Sequence, residues 1–349
     1  MNIPSRYMPL GQVFSGGMGD VHIYRDGSLD RDVAIKMVQN KSLTSRLLDE
    51  VRAFKHISSK HVVEIYDIIE SENGIAIVEE YLQGEDLKHP DQGVNKDFFL
   101  RTAYQIASGL CDIHAAGLVH RDIKPFNMKY DGEGILKIFD FGLARLLGVD
   151  SSTKGFRGTY GYAAPELYQE GTVEFTQAID VYAFGVTCLY YAIGKLPDEI
   201  KPIRNPKISI TPFSILLQDL LPKELQELFD RTVSFFPASR PSMAELKQVI
   251  ERYMLLNKHR ALIILNKNSY VIDKKNTSVT VTAQGKGKII IQYDGLYFKL
   301  KRIEGVIMIN NMAGDDLMVM PGACVISFGK QEAARTHVSF DISHPGVVL

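Results

Sequence analysis

The chain lacks a charge excess, a cysteine framework and a membrane-spanning run, and each absence removes a class of function. It carries 40 Lys+Arg against 41 Asp+Glu, a formal charge of −1, so non-specific attraction to nucleic acid or to an anionic membrane surface is not its main business. Its three cysteines, Cys111, Cys188 and Cys324, lie far apart among apolar neighbours. That excludes a disulfide scaffold and a paired-cysteine zinc site, and reads as buried thiols in a reducing compartment. No uncharged apolar stretch approaches the roughly 18 residues of a membrane span, and the opening Met-Asn-Ile-Pro-Ser-Arg is not a basic region followed by an apolar run. The expected location is cytoplasmic. Internal repeats and low-complexity segments are also missing.

What is present is an ordinary globular composition, 45% hydrophobic and 23% charged, over 349 residues, enough for two domains at roughly 150 residues each. Charge locates a boundary. Residues 260–349 hold 11 basic and 7 acidic residues, a net of +4, which leaves −5 for the rest. In that second part, Ala261 to Leu265, Ser278 to Thr282, Lys288 to Tyr293 and Gly305 to Ile309 are short β-branched runs separated by Asn or Gly clusters, an all-β pattern. In the first part strands dominate to about Tyr81. From Asp97 to Gly117, Phe98, Phe99, Ala103, Ile106, Leu110 and Ile113 then recur on one helical face. Ser242 followed by Glu245 reads as a capping box opening a helix that runs to about Leu256.

The chemistry lies in the first part. Ser15-Gly16-Gly17-Met18-Gly19-Asp20-Val21 precedes Val33-Ala34-Ile35-Lys36, and His120-Arg121-Asp122-Ile123-Lys124-Pro125-Phe126-Asn127 follows downstream. Asp140-Phe141-Gly142 and Gly158-Thr159-Tyr160-Gly161-Tyr162-Ala163-Ala164-Pro165-Glu166 complete the series. Taken singly, a glycine cluster is a turn and a strand lysine a solvated edge residue. Together and in this order, from about Tyr7 to Leu256, they resemble the eukaryotic-type protein kinases in the subset also found in bacteria. The resemblance implies an α+β, bilobal fold at 1–258, with a β-rich lobe to about 80 and a helical lobe over about 84–256, followed by a small all-β sandwich at 260–349.

It also implies roles. Phosphoryl transfer needs the triphosphate held, its charge neutralised and the acceptor oxygen aligned. Gly16, Gly17 and Gly19 would let the backbone approach the phosphates, and Val21, Glu80 and Leu82 would line the adenine site. Lys36 would contact the α- and β-phosphates. Its carboxylate partner is best matched by Glu50, with Asp49 and Glu64 as rivals that fit less well. Asp122 would orient the acceptor hydroxyl, and Asn127 and Asp140 would hold Mg²⁺, which favours oxygen ligands. Lys124 resembles the serine/threonine-specific pattern and would reach the γ-phosphate, while Thr159 would tie Asp122 to Lys124. Glu166 should pair with Arg240, and Asp180 should brace the catalytic loop. This framework favours protein substrates over small molecules.

Three positions depart from the pattern. Phe14 stands where the glycine loop begins with another glycine, and Phe126 fills a position that is usually small or polar. Glu79 falls at the normally apolar back wall of the adenine pocket, where a carboxylate needs a basic or hydroxyl partner unless the register slips by one. Arg121 calls for an anion, and Ser151, Ser152 and Thr153 form a hydroxyl cluster where autophosphorylation would supply one. The second part resembles the latter half of a forkhead-associated sandwich, the phosphothreonine-binding module. Its Gly-Arg and Ser-x-x-His motifs are missing, however, and its Asn-Gly is replaced by Asn310-Asn311. Lys286, Lys288, Lys299, Lys301 and Arg302 suggest an anion-binding face, and the opposite net charges suggest intramolecular docking. An alternative reading, a pseudokinase or phosphopeptide-binding scaffold, is disfavoured by the intact set Lys36, Asp122, Lys124, Asn127 and Asp140.

Overall fold

The computed structural model describes residues 3–16, 19–38, 54–71, 74–140, 145–146, 152–153, 159–168, 173–197, 200, 210–266, 268–330 and 334–343. The chain divides into two compact units, Met1–Ile250 and Glu251–Leu349.

In the first unit, β1 (Tyr7–Gly16), β2 (Gly19–Asp26), β3 (Arg31–Val38), β4 (Ile65–Ser71) and β5 (Gly74–Glu80) form an antiparallel sheet in the order β1-β2-β3-β5-β4. Side chains alternate between faces along each strand. Val33, Ile35, Ala76 and Val78 pack with Tyr7 in a core on one face. The opposite face carries the intervening residues, and cross-strand partners share a face. Val21 lies opposite Lys36, Lys36 opposite Ile77, and Ala34 opposite Glu79.

Helix α1 (Lys96–Ala115) starts at Asn95, whose side chain accepts from the Phe98 N–H at 2.9 Å. Phe99, Ala103, Ile106, Leu110 and Ile113 are buried as their spacing predicts, but Phe98 is 48% exposed. One step around the helix in the first turn takes Phe98 off the core-facing stripe. Short strands follow: β6 (Leu118–Val119), β7 (Met128–Tyr130), β8 (Leu136–Ile138), β9 (Arg145–Leu146), β10 (Ser152–Thr153) and β11 (Val173–Glu174). They pair as β6 with β9, β7 with β8 and β10 with β11.

Helix α2 (Ala178–Ile193) is buried almost throughout its length. It packs against α4 (Lys223–Thr232), which follows the short α3 (Pro212–Leu216). Phe229 meets Phe99, Phe184 and Phe213 with ring centroids 5.2, 5.8 and 5.1 Å away. A Cβ at Gly185 would lie 2.0 Å from Thr232 Oγ1, so the approach of the two helices requires glycine there. In α5 (Met243–Met254) the Ser242 hydroxyl accepts from the Glu245 N–H at 3.1 Å, while the Glu245 carboxylate pairs outward with Arg231 at 2.9 Å.

The second unit is two antiparallel sheets around one core. One sheet joins β12 (Arg260–Leu265), β13 (Asn268–Ile272), β17 (Ile307–Ile309), β18 (Met312–Ala313), β19 (Ala323–Phe328) and β20 (Thr336–Ser343) in the order β13-β12-β20-β19-β17-β18. The other is β14 (Ser278–Ala283), β15 (Gly287–Tyr293) and β16 (Phe298–Gly305). The expected strand from Gly305 to Ile309 is split, because Gly305, at φ 89°, ends β16 in one sheet and Ile307 begins β17 in the other. Asn310 and Asn311, at φ 47° and 66°, make the two-residue turn between β17 and β18, a geometry asparagine tolerates well. This unit begins earlier than residue 260. The Asn257 N–H donates to the Gly295 carbonyl at 2.7 Å, and His259 packs on Tyr293.

Candidate active site

The loop between β6 and β7 is held in an unusual conformation. Arg121, at φ 73°, and Asp140, which follows β8 at φ 68°, are non-glycine residues in the left-handed region. Such strain persists only where the surroundings over-determine it, and it clusters at functional sites. Here the restraint comes from α2. The fully buried Asp180 accepts from the backbone N–H groups of His120 and Arg121, both at 2.8 Å, and lies 2.9 Å from His114 Nε2. Burial works against the Asp180 charge, but hydrogen bonding to His114, the His114 and His120 charges and the Arg121 N–H hold its carboxyl below the ordinary value.

Four of the predicted residues converge on that loop. Asp122 Oδ2 accepts from Lys124 Nζ at 2.7 Å and from Asn127 Nδ2 at 2.9 Å, and its Oδ1 accepts from the Thr159 hydroxyl at 2.7 Å. Lys124 also donates to Thr159 at 2.7 Å. Burial opposes ionisation of Asp122, yet its bonds from Lys124, Thr159 and Asn127 keep the carboxyl below the usual range. It is therefore an anion at neutral pH. The Asn127 amide nitrogen donates to Asp122 twice, through the carboxylate and, at 2.7 Å, the backbone carbonyl. Its amide oxygen is thereby left to accept or to ligate. The backbone N–H of Asp122 approaches His120 Nδ1 at 3.4 Å, which leaves Nε2 to donate to the Phe139 carbonyl at 3.2 Å, and burial lowers the His120 pKa.

Across from this cluster, Lys36 Nζ lies 2.5 Å from Asp140 Oδ1. Glu50, Gly17 and Ser151 lie outside the described residues. Gly16 and Gly19 pair at the end of the β1–β2 hairpin, and Val21 lies between Phe14 and Lys36 in register. Leu82 is buried, and the Glu80 carboxylate accepts from Lys137 at 2.7 and 2.8 Å. Two residues on, the Gly84 N–H donates to the Tyr130 carbonyl at 3.0 Å; a Cβ there would come within 2.6 Å of that oxygen, so only glycine fits. Ser152 and Thr153 lie on β10, opposite Glu174 and Val173. The Arg121 guanidinium stacks 3.9 Å over the Phe175 ring, and Arg240 grips Glu166 through two nitrogens at 2.7 and 2.8 Å.

The three departures resolve differently. Phe126 is 67% exposed beside Lys124, and Phe14 sits with its ring centroid 5.8 Å from Lys129 Nζ. Neither Lys129 nor Lys137 figured in the sequence reading. The signal for them was the alternation in β7 and β8, where Met128 and Ile138 turn inward and leave the lysines on a shared outer register. At Glu79 the register does not slip, and among the described residues no hydrogen bond reaches its carboxylate. Burial instead pushes this carboxyl up to about 7, against the pull of the Lys36 charge and with Asp140 and Glu80 adding to the rise.

Since an unfolded glutamate ionises near about 4.3, folding carries no penalty from Glu79 below that value; the penalty grows as pH rises from there to about 7 and is constant above it. Glu79→Gln is therefore expected to stabilise the chain by about 2–4 kcal/mol at about pH 8 and by almost nothing below about pH 4. Denaturant titrations at the two pH values check this, and an equal difference at both contradicts it.

Among the described residues no group of three or more His, Cys, Asp and Glu side chains could hold a metal by itself. Asp140 and the Asn127 oxygen are hard donors suited to a Mg²⁺ ion that completes its shell with phosphate oxygens and water, so the residues fit a metal that arrives with a polyphosphate. No described helix is long and apolar enough to cross a membrane.

Residues 7–250 match the family described as Protein kinase domain. The chain is 38% identical over 197 residues to the serine/threonine-protein kinase drp72 of Corynebacterium efficiens, covering 52% of this chain and 38% of that protein. It is 31% identical over 211 residues to the serine/threonine-protein kinase PrkC of Bacillus subtilis, covering 56% and 31%. With mitogen-activated protein kinase 12 of Danio rerio it shares 31% identity over 204 residues, 55% of each chain. The matches thus span between 31% and 55% of these relatives' own lengths.

Proposed function

The chain belongs to the protein kinase family, and on that premise we propose that it is a serine/threonine protein kinase that moves the γ-phosphoryl of ATP to protein hydroxyls. The observation that carries this reading is the closed set of hydrogen bonds joining Asp122, Lys124, Asn127 and Thr159, because it leaves a buried, ionised carboxylate beside a lysine. In this reading Asp122 accepts the hydrogen bond of the incoming hydroxyl and aims its oxygen. Lys124 faces the transferring phosphoryl, and its present bond to Asp122 keeps it there. Lys36 holds the α- and β-phosphates, and Gly16, Gly17, Gly19, Val21, Glu80 and Leu82 surround the nucleotide. Glu50 is the proposed partner of Lys36. Asn127 and Asp140 would hold Mg²⁺, which neutralises charge on the phosphates when bound.

Autophosphorylation at Ser151, Ser152 or Thr153 is part of the proposal, supported by Arg121, whose cation lies in the same unit. The second unit is proposed to be forkhead-associated-like in build, supported by its two sheets around one core. Phosphothreonine binding gains little support from the basic residues. Lys288 and Arg302 approach Glu304 at 3.9 and 3.0 Å, Lys299 pairs with Asp294 at 2.7 Å, and Lys286 donates to Thr336 at 3.0 Å. A docking or regulatory role for this unit is therefore the better reading.

The test is incubation of the full chain with γ-labelled ATP, Mg²⁺ and a generic basic protein, followed by mass spectrometry of the chain itself. Label on serine or threonine of the basic protein, together with a phosphorylated 151–153 peptide, is the expected result. Absence of all transfer overturns the enzyme reading, and an unmodified 151–153 peptide in an active enzyme overturns the autophosphorylation site.

A further inference from the structure

The feature that the proposed chemistry does not use is Glu79. It is the last residue of β5 on the Lys36-bearing face, opposite Ala34 and two register pairs along from Lys36 and Ile77, and it directly precedes the Glu80–Leu82 segment assigned to the base. The cations near it are already engaged. Lys36 pairs with Asp140 at 2.5 Å and Lys137 with Glu80 at 2.7 Å. Among the described residues nothing donates a hydrogen bond to its carboxylate, although the residue is only partly buried. Its cross-strand partner on the same face, Ala34, is a buried apolar residue. A carboxylate placed so needs a donor, and a bound ligand can supply one.

We propose that Glu79 determines which purine the cleft accepts, favouring a base with an amino group at C6 over one with a carbonyl there. The proposal rests on the ATP-binding reading above. A purine whose N1–C6 edge lies along the Glu80–Leu82 backbone turns its C6 substituent toward the inner end of that segment, where Glu79 stands. An ionised carboxylate only accepts hydrogen bonds. The amino group of adenine donates to it, whereas the carbonyl of hypoxanthine sets two acceptors against each other and leaves both desolvated. A polar site of this kind rejects the mismatched analogue far more strongly than an apolar wall can. Glutamine at the same position has no such bias, because its amide can turn either its oxygen or its NH₂ to the base.

The experiment is calorimetric titration of the full chain at about pH 8, where Glu79 is ionised, with Mg-ATP and with Mg-ITP. The wild-type protein is expected to bind ATP about tenfold or more tighter than ITP. In Glu79→Gln the ratio is expected to fall to about threefold or less, chiefly because ITP binds better. Glu79→Leu, which removes the polar atoms and keeps the bulk, loses the discrimination through weaker ATP binding. If both variants bind both nucleotides with the wild-type ratio, the proposal is overturned while the ATP reading stands. If the wild-type protein binds neither nucleotide, the ATP reading fails and the proposal with it.

Discussion

Asp122→Asn is expected to lower phosphoryl transfer to protein hydroxyls by about a thousandfold, within the range that a positioned acid–base group contributes. The substitution preserves shape. An asparagine oxygen can still accept from Lys124 or Thr159, so the loop between β6 and β7 keeps its form, but the negative charge that orients the acceptor hydroxyl is gone. In the wild-type protein that charge is secured at neutral pH, since the bonds from Lys124, Thr159 and Asn127 outweigh the effect of burial. Nucleotide affinity should change little, because in the proposed arrangement Asp122 faces the acceptor and not the triphosphate. The measurement is transfer from γ-labelled ATP to a basic protein, with nucleotide binding determined in parallel. Activity within tenfold of wild type would refute the role given to Asp122.

Asp180→Ala is expected to destabilise the first unit by about 3–5 kcal/mol, the scale at which removing one member of a buried charged network acts. One carboxylate satisfies two buried backbone N–H groups, at His120 and Arg121, and contacts His114. Alanine leaves all three unmatched, and it also releases the restraint that keeps Arg121 at φ 73°. Asp180→Asn, which retains an acceptor on one side, should lose roughly half as much. Denaturant unfolding of the full chain measures both, and a cost under about 1 kcal/mol for alanine would show that the loop is held by other means. The same group makes stability depend on acid. Its folded pKa lies below its unfolded value, so its contribution is complete above the ordinary carboxylate range and is lost as pH falls through the lowered value.

How much of this was legible in the sequence depended on whether the signal was local. The motifs around Lys36, Asp122 and Asp140 are runs of adjacent residues, and the interior face of α1 is a helical period, so both could be read along the chain. Phe98 was misplaced because a period defines a stripe but not its edge, and the first turn of a helix often lies past that edge. The split at Gly305 escaped because Ile307 and Ile309 continue the apolar alternation of β16, and only a positive φ reveals that the chain has changed sheets. The environment of Glu79 was half legible. Its position in the strand followed from spacing, but the absence of a bonding partner depends on side chains from β3 and on where Lys36 points, 104 positions before Asp140. Lys129 was missed for the same reason, since its neighbour Phe14 lies 115 positions earlier in the chain.

The bonds from His120 and Arg121 to Asp180 bear on timing as well as on strength. Their amide hydrogens belong to a loop, a class of segment that ordinarily exchanges with solvent through small local openings. Here both end on a side chain of α2, whose neighbours Ile179, Val181, Tyr182 and Phe184 are buried. Exposing those amides therefore requires α2 to leave the core or the loop to peel from it against two short bonds. The part of the chain that carries the chemistry should thus exchange at the slow pace of the helical interior, not at the fast pace usual for loops.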